Sequence, residues 1–226
     1  MVAAGRGSRL GGEAKQYREL GGRPVFCWAV RSLLTALAGP VVVVLPEDGL
    51  EEGETLLRAH LGDDADRVRA TAGGPRRQDS VREGLGALGR AVTVLVHDAA
   101  RPFASPALVE RVGRHAAAGR AVVPAMSPVD TLKQVDDDRV IETVDRTRLV
   151  AAQTPQGFPL ALLRDAHAAW TEAGEATDDA AVCERFGAPV SWIPGEALNR
   201  KLTDAEDWWW AERVVEAGRV RWGGKG

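Results

Sequence analysis

Short apolar runs that alternate with amphipathic stretches constrain this chain more than any other feature. They lie at residues 1–4, 41–45, 67–70, 93–97, 121–124, 150–154 and 190–194, and each is strand-sized. Val41-Val42-Val43-Val44-Leu45 is the clearest: it has no polar face, so a strand there must be covered on both sides. Between the runs, 24–38 reads as a helix, with Pro24 in its first turn and Gly39-Pro40 as its stop. Ser80-x-x-Glu83 reads as a capping box that opens a helix directly after Gly73-Gly74. Ser105-Pro106 supplies the N-cap and first position of a helix over 107–118, and Thr203-x-x-Glu206 caps a last helix to about 217. The alternation predicts an α/β fold: a Rossmann-like, mostly parallel sheet with helices on both faces. At 226 residues, 45% hydrophobic and 27% charged, the chain is expected to be a single domain around one core.

Charge and composition remove several classes of function. A net charge of -3 and a pI near 5.9 argue against a nucleic-acid partner, which needs a basic face. No apolar run approaches the roughly 18 residues of a membrane span, and no leader pattern precedes the first strand, so a cytoplasmic protein with no membrane partner is expected. Cys27 and Cys183 stand alone, as reduced core thiols do. His60, His97, His115 and His167 lack the spacing of a zinc site.

In a layered α/β sheet, ligands sit beyond the carboxyl ends of the strands. The loops there are the chemically rich parts of this sequence. After the first run comes Ala3-Ala4-Gly5-Arg6-Gly7-Ser8-Arg9-Leu10-Gly11-Gly12-Glu13-Ala14-Lys15, whose glycines let main-chain N–H groups approach phosphate oxygens while Arg9 and Lys15 add charge. It is not a P-loop, since no Gly-Lys-Ser/Thr follows; the alternative is a solvated N-terminus. After the third run, Gly73-Gly74-Pro75-Arg76-Arg77-Gln78-Asp79-Ser80-Val81 offers backbone groups, a hydroxyl and a helix start to a base or ribose, or is a plain β–α turn. After the fourth, His97-Asp98-Ala99-Ala100-Arg101-Pro102 puts a carboxylate and a guanidinium at a strand end, as site residues or as a structural ion pair.

Taken together, Ala-Ala-Gly-x-Gly-x-Arg ahead of Lys15-Gln16, Gly-Gly-x-x-Arg-x-x-Ser-Val and His-Asp-Ala-Ala-Arg-Pro resemble the 2-C-methyl-D-erythritol 4-phosphate cytidylyltransferase family of the non-mevalonate isoprenoid pathway. The order and spacing hold across nearly the whole chain. The first motif is shared with many sugar-nucleotide nucleotidyltransferases; the other two narrow the match to methylerythritol and ribitol phosphate cytidylyltransferases. Pro128-Val129-Asp130-Thr131-Leu132-Lys133, Val144-Asp145-Arg146, Gln153-Thr154-Pro155-Gln156, Ala176-Thr177-Asp178-Asp179 and Asn199-Arg200-Lys201-Leu202-Thr203 favour the first.

The resemblance implies a nucleotide-diphospho-sugar transferase type of fold and a reaction in which the acceptor phosphate attacks the α-phosphorus of CTP and expels pyrophosphate. By motif position, Arg9 and Lys15 stabilise the transition state and leaving group, while Arg146 and Lys201 hold the methylerythritol phosphate. Ala3, Ala4, Gly5 and Gly7 would contact the phosphates and base, and Gly73, Gly74, Asp79 and Ser80 the cytosine and ribose. Asp98, Arg101, Thr131, Thr154 and Thr177 would face the acceptor. Mg²⁺ is expected chiefly on the CTP phosphates, with Asp98 the one side chain named as a helper. The alternatives are a ribitol 5-phosphate enzyme and a catalytically silent nucleotide-binding homologue.

Alternating runs at 131–135 and 140–144 bracket Asp136-Asp137-Asp138-Arg139, so about 128–148 reads as a protruding β-hairpin. The resemblance implies that this arm interlocks two copies in a homodimer, with Thr131 and Arg146 serving the neighbour's site; otherwise it folds onto its own subunit. Where this chain has Met1-Val2, the family has a longer apolar first strand, so the strand reads as truncated or begun at a misplaced start. Ala14 replaces the family's proline before Lys15, which is expected to loosen CTP binding. Trp208-Trp209-Trp210 cannot all face one core, since successive helical positions diverge. The tail over 219–226 is expected to be poorly ordered.

Overall fold

In the computed structural model, which describes residues 1–5, 16–171 and 174–223, the elements follow in this order. A small hairpin of β1 (Glu19–Leu20) and β2 (Arg23–Pro24) leads into α1 (Val25–Ala36) and β3 (Val41–Leu45). Then come α2 (Leu50–Leu61), β4 (Val68–Ala72), α3 (Arg77–Ala87), β5 (Thr93–Val96), α4 (Pro106–Ala117) and β6 (Ala121–Met126). An outlying hairpin of β7 (Lys133–Asp136) and β8 (Arg139–Thr143) is followed by β9 (Ala151–Ala152), β10 (Gln156–Pro159), α5 (Leu160–Ala169), α6 (Asp179–Arg185), β11 (Val190–Pro194) and α7 (Ala205–Glu216).

All five residues of β3 are buried, as their unbroken apolarity requires. β3 pairs in parallel with β4 on one side. On the other, Val2 bridges in parallel to both Val44 and Asp98. Its N–H donates to the His97 carbonyl at 2.8 Å, its carbonyl accepts from Ala99 N–H at 3.0 Å, and Ala3 N–H donates to the Val44 carbonyl at 2.8 Å. That residue joins the β3–β4 pair to the larger sheet of order β11-β6-β10-β5, to which β9 adds on β6. Alternate residues of the strands serve opposite faces. Val41, Val43 and Leu45 pack with α1 and α2, and Leu95, Val122 and Ile193 with α4. Val94, Val96, Ala121 and Phe158 pack with α3, α5 and α6. The result is the expected α/β layered sheet with helices on both faces.

Where the structure differs from the sequence reading, local chemistry explains it. The sheet is mixed because β10, absent from the expected strands, runs antiparallel to both β5 and β6. Gln-Gly-Phe-Pro shows neither alternation nor an apolar run. Its glycine instead admits α4: a Cβ on Gly157 would sit 2.7 Å from Val112 Cγ1 and 3.2 Å from the Val112 carbonyl oxygen. The runs at 1–4 and 150–154 contract to the Val2 bridges and to β9. α3 starts at Arg77, so Ser80 is inside the helix rather than its cap. The Ser80 hydroxyl lies 3.2 Å from each of the Gly74 and Arg76 carbonyls, bracing the turn from within. The last helix is capped one residue later than Thr203, by a reciprocal Asp204–Asp207 box; a carboxylate at each position accepts the free N–H groups, and Thr203 donates its hydroxyl to Asp207. Ser105 caps α4 as read, accepting from Leu108 N–H at 3.1 Å.

The hairpin of β7 and β8 turns through Asp137-Asp138, with Asp137 at a φ of 46°, a conformation aspartate tolerates. Every residue of both strands is exposed, so the arm stands clear of its own subunit's core. In α7, Trp208 is buried, Trp209 is 64% exposed and Trp210 lies against Phe103 at 6.0 Å. Contrary to the expectation for the tail, Trp222 docks edge-on against Trp28 at 5.2 Å, with Arg23 and Arg31 stacked on its ring. Cys27 and Cys183 are buried free thiols, and burial pushes both up to about 12. Among the described residues, no helix is long and apolar enough to cross a membrane.

Candidate active site

Beyond the carboxyl ends of β3, β4 and β5 lies a cleft of about 1030 Å³. Its wall is built from the loops the sequence singled out: Ala3, Ala4 and Gly5, then Gly73, Gly74 and Ser80, then Asp98, and from the far side Lys201. Close backbone approach explains the glycines. A Cβ on Gly73 would lie 2.5 Å from Ala4 Cβ and 2.7 Å from Ser80 Oγ, so the first two loops touch only because Gly73 has no side chain. A Cβ on Gly74 would meet Asp79 Cβ at 2.5 Å.

Asp98 is the electrostatic centre. Its Oδ2 is 2.8 Å from Lys201 Nζ and its Oδ1 is 3.5 Å from Arg77. Burial alone would push this carboxyl up; Arg77 and Lys201 outweigh it and hold it at about 2. The ion-pair alternative for Asp98 and Arg101 is therefore corrected: the carboxylate pairs with Arg77 and Lys201. Arg101 donates instead to the Asn199 carbonyl at 2.8 Å and to the Ala152 carbonyl at 3.4 Å, lacing two segments together behind the cleft. Leu202 N–H donates to the Ala100 carbonyl at 2.8 Å, which sets the loop carrying Lys201 against the loop carrying Asp98.

Thr154 does not reach the cleft. Its buried hydroxyl accepts from Asp98 N–H and donates to His97 Nδ1, each at 3.0 Å, leaving it no donor for a ligand. His97 Nε2 then donates to the Arg101 carbonyl at 3.0 Å, so the ring is neutral and its tautomer is fixed by these partners. Asp79 is likewise spent on structure, its carboxylate held by Arg76 at 2.7 Å and by Arg82 at 2.9 Å, outside the cleft lining. Thr177 is exposed just ahead of α6, and neither it nor Thr131 lines the cleft of its own subunit. Arg146 sits exposed at the base of the arm, donating to the Asp130 carbonyl at 3.2 Å. Gly7, Arg9, Ala14 and Lys15 lie outside the described residues.

The comparisons with known proteins converge. The family model for 2-C-methyl-D-erythritol 4-phosphate cytidylyltransferase (IspD) matches residues 1–217. This chain belongs to that cytidylyltransferase family. It is 44% identical over 220 residues to the 2-C-methyl-D-erythritol 4-phosphate cytidylyltransferase of Nocardia farcinica, covering 96% of this chain and 92% of that protein. It is 48% identical over 219 residues to the bifunctional enzyme IspD/IspF of Solidesulfovibrio magneticus, covering 92% of this chain. The chain spans about half the length of that and the other bifunctional relatives it matches, 54% in this case. Among solved structures, the 2-C-methyl-D-erythritol 4-phosphate cytidylyltransferase of Thermus thermophilus superimposes with a TM-score of 0.79 at 35% identity, covering 95% of this chain and 97% of that one. The 4-diphosphocytidyl-2C-methyl-D-erythritol synthase of Anaerococcus prevotii gives 0.81 at 30% identity, covering 95% and 93%.

In this cytidylyltransferase-family cleft, several lining residues had no role in the sequence reading: Arg76, Arg77, Gln16, Glu175 and Trp208. Arg77 had a signal, being the arginine of Gly-Gly-x-x-Arg. Glu175 had none; it arrives because Gln78, buried in α3, donates to the Gly174 carbonyl at 2.9 Å and accepts from Ala176 N–H at 3.3 Å. Trp208, far away in sequence, carries Arg18 on its ring at 4.4 Å.

The neutral His97 makes a testable difference to stability. Burial lowers its pKa from the ordinary 6.5 to about 4, so the unfolded chain binds this proton first as pH falls. Stability is expected to decline between about pH 6.5 and 4 by up to ~3 kcal/mol and to level off there as far as this group is concerned. Asp98, held low by its cations, adds its own loss only below about 3.8. Urea unfolding across that range should show the slope in the native chain, with a shallower one in His97→Asn.

Proposed function

We propose that this cleft transfers the cytidylyl group of CTP to 2-C-methyl-D-erythritol 4-phosphate, giving 4-diphosphocytidyl-2-C-methyl-D-erythritol and pyrophosphate, a step in isoprenoid precursor biosynthesis. The observation that carries the reading is convergence: Ala3 to Gly5, the glycine loop at the start of α3, and Lys201 on Asp98 all meet in one cleft. Family membership supports it, as does the similarity to the 2-C-methyl-D-erythritol 4-phosphate cytidylyltransferase of Nocardia farcinica.

The chemistry asks for placement of charge. An oxygen of the acceptor phosphate forms a bond to the α-phosphorus, and the bond from that phosphorus to the bridging oxygen breaks, pyrophosphate leaving with the electron pair. The acceptor phosphate is already ionised, so no general base is needed. Arg76, on the cleft wall directly before α3, suits the triphosphate. Lys201 suits the acceptor phosphate, and Arg9 and Lys15 the transition state and leaving group. A backbone-lined wall at Gly73 and Gly74 favours the smaller pyrimidine base.

Among the described residues, no group of three or more His, Cys, Asp or Glu side chains gathers to hold a metal ion, and both Asp98 oxygens already face cations. This donor set fits a divalent ion carried on the phosphates of the nucleotide, expected to be Mg²⁺, with Asp98 no more than an auxiliary. Such an ion supplies charge neutralisation of the triphosphate.

The exposed arm favours a homodimer in which Thr131 and Arg146 reach the neighbouring cleft, since Val135, Val140 and Ile141 are each more than half exposed on a hairpin whose strand residues are all exposed. An enzyme that binds no nucleic acid is consistent with the chain's net charge of -3.

Pyrophosphate release with Mg²⁺ tests the reading, using CTP, ATP, GTP and UTP against methylerythritol phosphate and ribitol 5-phosphate. Release is expected with CTP and methylerythritol phosphate, and Lys15→Ala should lower that turnover on the order of 10²–10³-fold. A preference for ribitol phosphate would replace the acceptor named here, and CTP binding without release would mark a silent homologue. For the arm, sedimentation of a chain lacking residues 133–143 is expected to give an inactive monomer; an active one would contradict the shared site.

A further inference from the structure

A line of charges runs from Asp98 through Arg77 into the core. Arg77, the first residue of α3, lies 2.8 Å from Asp179 Oδ2 as well as 3.5 Å from Asp98 Oδ1. Asp179 is completely buried, and its other oxygen is 2.9 Å from Nε2 of the equally buried His167. A carboxylate there only accepts, so Nε2 carries the proton. The position of Asp179 is fixed from several sides. It is the first residue of α6, whose N-cap Asp178 accepts from Gln156 Nε2 at 2.7 Å, while Gln156 Oε1 accepts from Ala180 N–H at 3.1 Å.

The two cations on Asp98 therefore differ in kind. Lys201 is 46% exposed and tethered only at its tip, whereas Arg77 is 18% exposed and gripped by a buried carboxylate on its far side. An arriving acceptor phosphate competes with Asp98 for Lys201. Asp98, only 14% exposed, would then be left as a desolvated charge unless another cation stayed beside it. Arg77 is the cation that cannot leave.

We propose that Asp179 and His167 are positioning residues: they pin Arg77 beside Asp98 so that Lys201 can be released from Asp98 to the acceptor phosphate. This rests on the cytidylyl-transfer reading. Exchange of one cation for a waiting second keeps every buried carboxylate paired through the binding step, and it makes acceptor affinity depend on residues that never touch the acceptor.

The test compares the unsubstituted protein, Arg77→Met, and the double variant Arg77→Met/Asp179→Asn in steady-state assays with CTP and methylerythritol phosphate, alongside thermal unfolding. Arg77→Met alone should lower Tm, because it strands Asp179 without a cation. The double variant removes both charges and should recover most of that Tm. Its KM for methylerythritol phosphate should nevertheless stay raised by at least about tenfold, since Lys201 remains the sole cation of Asp98. A double variant that regains both Tm and the acceptor KM would show Arg77 to be structural only and overturn the proposal. Should Arg77→Met fail to fold, Asp179→Asn alone, which keeps its bond from His167, is expected to raise the same KM; an unchanged value there overturns the proposal as well. Absence of turnover in the unsubstituted protein would instead overturn the functional reading, and this inference with it.

Discussion

One half-hidden carboxylate decides how the loops of this fold meet. Asp98 ends the strand that Val2 extends toward β3, and its two oxygens draw in cations from α3 and from the loop before α7. A carboxylate so placed tends toward protonation, and the pull of nearby cations, Arg77 and Lys201 foremost, keeps it ionised. The same contacts that solve this electrostatic problem close the cleft, because each brings in a loop of its own. Behind Asp98, Thr154, His97 and Asn199 form an uncharged hydrogen-bonded backing, laced by the Arg101 guanidinium, in which His97 has a partner on each ring nitrogen and the Thr154 hydroxyl has two. Two cations in front and this hydrogen-bonded frame behind hold the carboxylate at the cleft wall.

This arrangement limits the chemistry open to the cleft. Its histidine neighbour is uncharged and fully engaged, both cysteines are buried thiols pushed to about 12, and the Asp98 carboxylate on its wall is paired with two cations. Neither an activated nucleophile nor a poised general base emerges among the described residues. What the cleft has is donors: arginines at the start of a helix and a half-exposed lysine. Such a set stabilises phosphate oxygens and developing charge, which is what nucleotidyl transfer between two phosphates needs. Family membership and the physical character of the cleft therefore agree without either being required to explain the other.

Much of this was legible in the sequence where one residue type had one physical solution. Val41 to Leu45 had to be a strand covered on both faces. Ser105-Pro106 had to start a helix, and the acidic turn between alternating runs had to be a hairpin. The glycine loops read as places where backbone approaches a ligand; what Gly73 visibly allows is the contact of its own loop with Ala4. Readings faltered where several partners competed for one group. Thr154 and Asp79 stand in motifs beside the cleft, yet buried neighbours claim Thr154 and two arginines claim Asp79. The β10 strand was invisible because its residues answer to the packing of α4 rather than to strand propensity. Arg77 was visible in its motif, but its role depends on Asp179, which only the tertiary fold brings near.

The central claim is that the protein acts by placing charge around a single in-line displacement, with no covalent intermediate on the enzyme. The stereochemical course at the α-phosphorus tests it most directly, using CTP made chiral there by sulfur substitution and methylerythritol phosphate as acceptor. Inversion of configuration is the predicted result. Retention would contradict the account, since it requires two displacements and therefore an enzyme nucleophile, which the described residues of this cleft do not present.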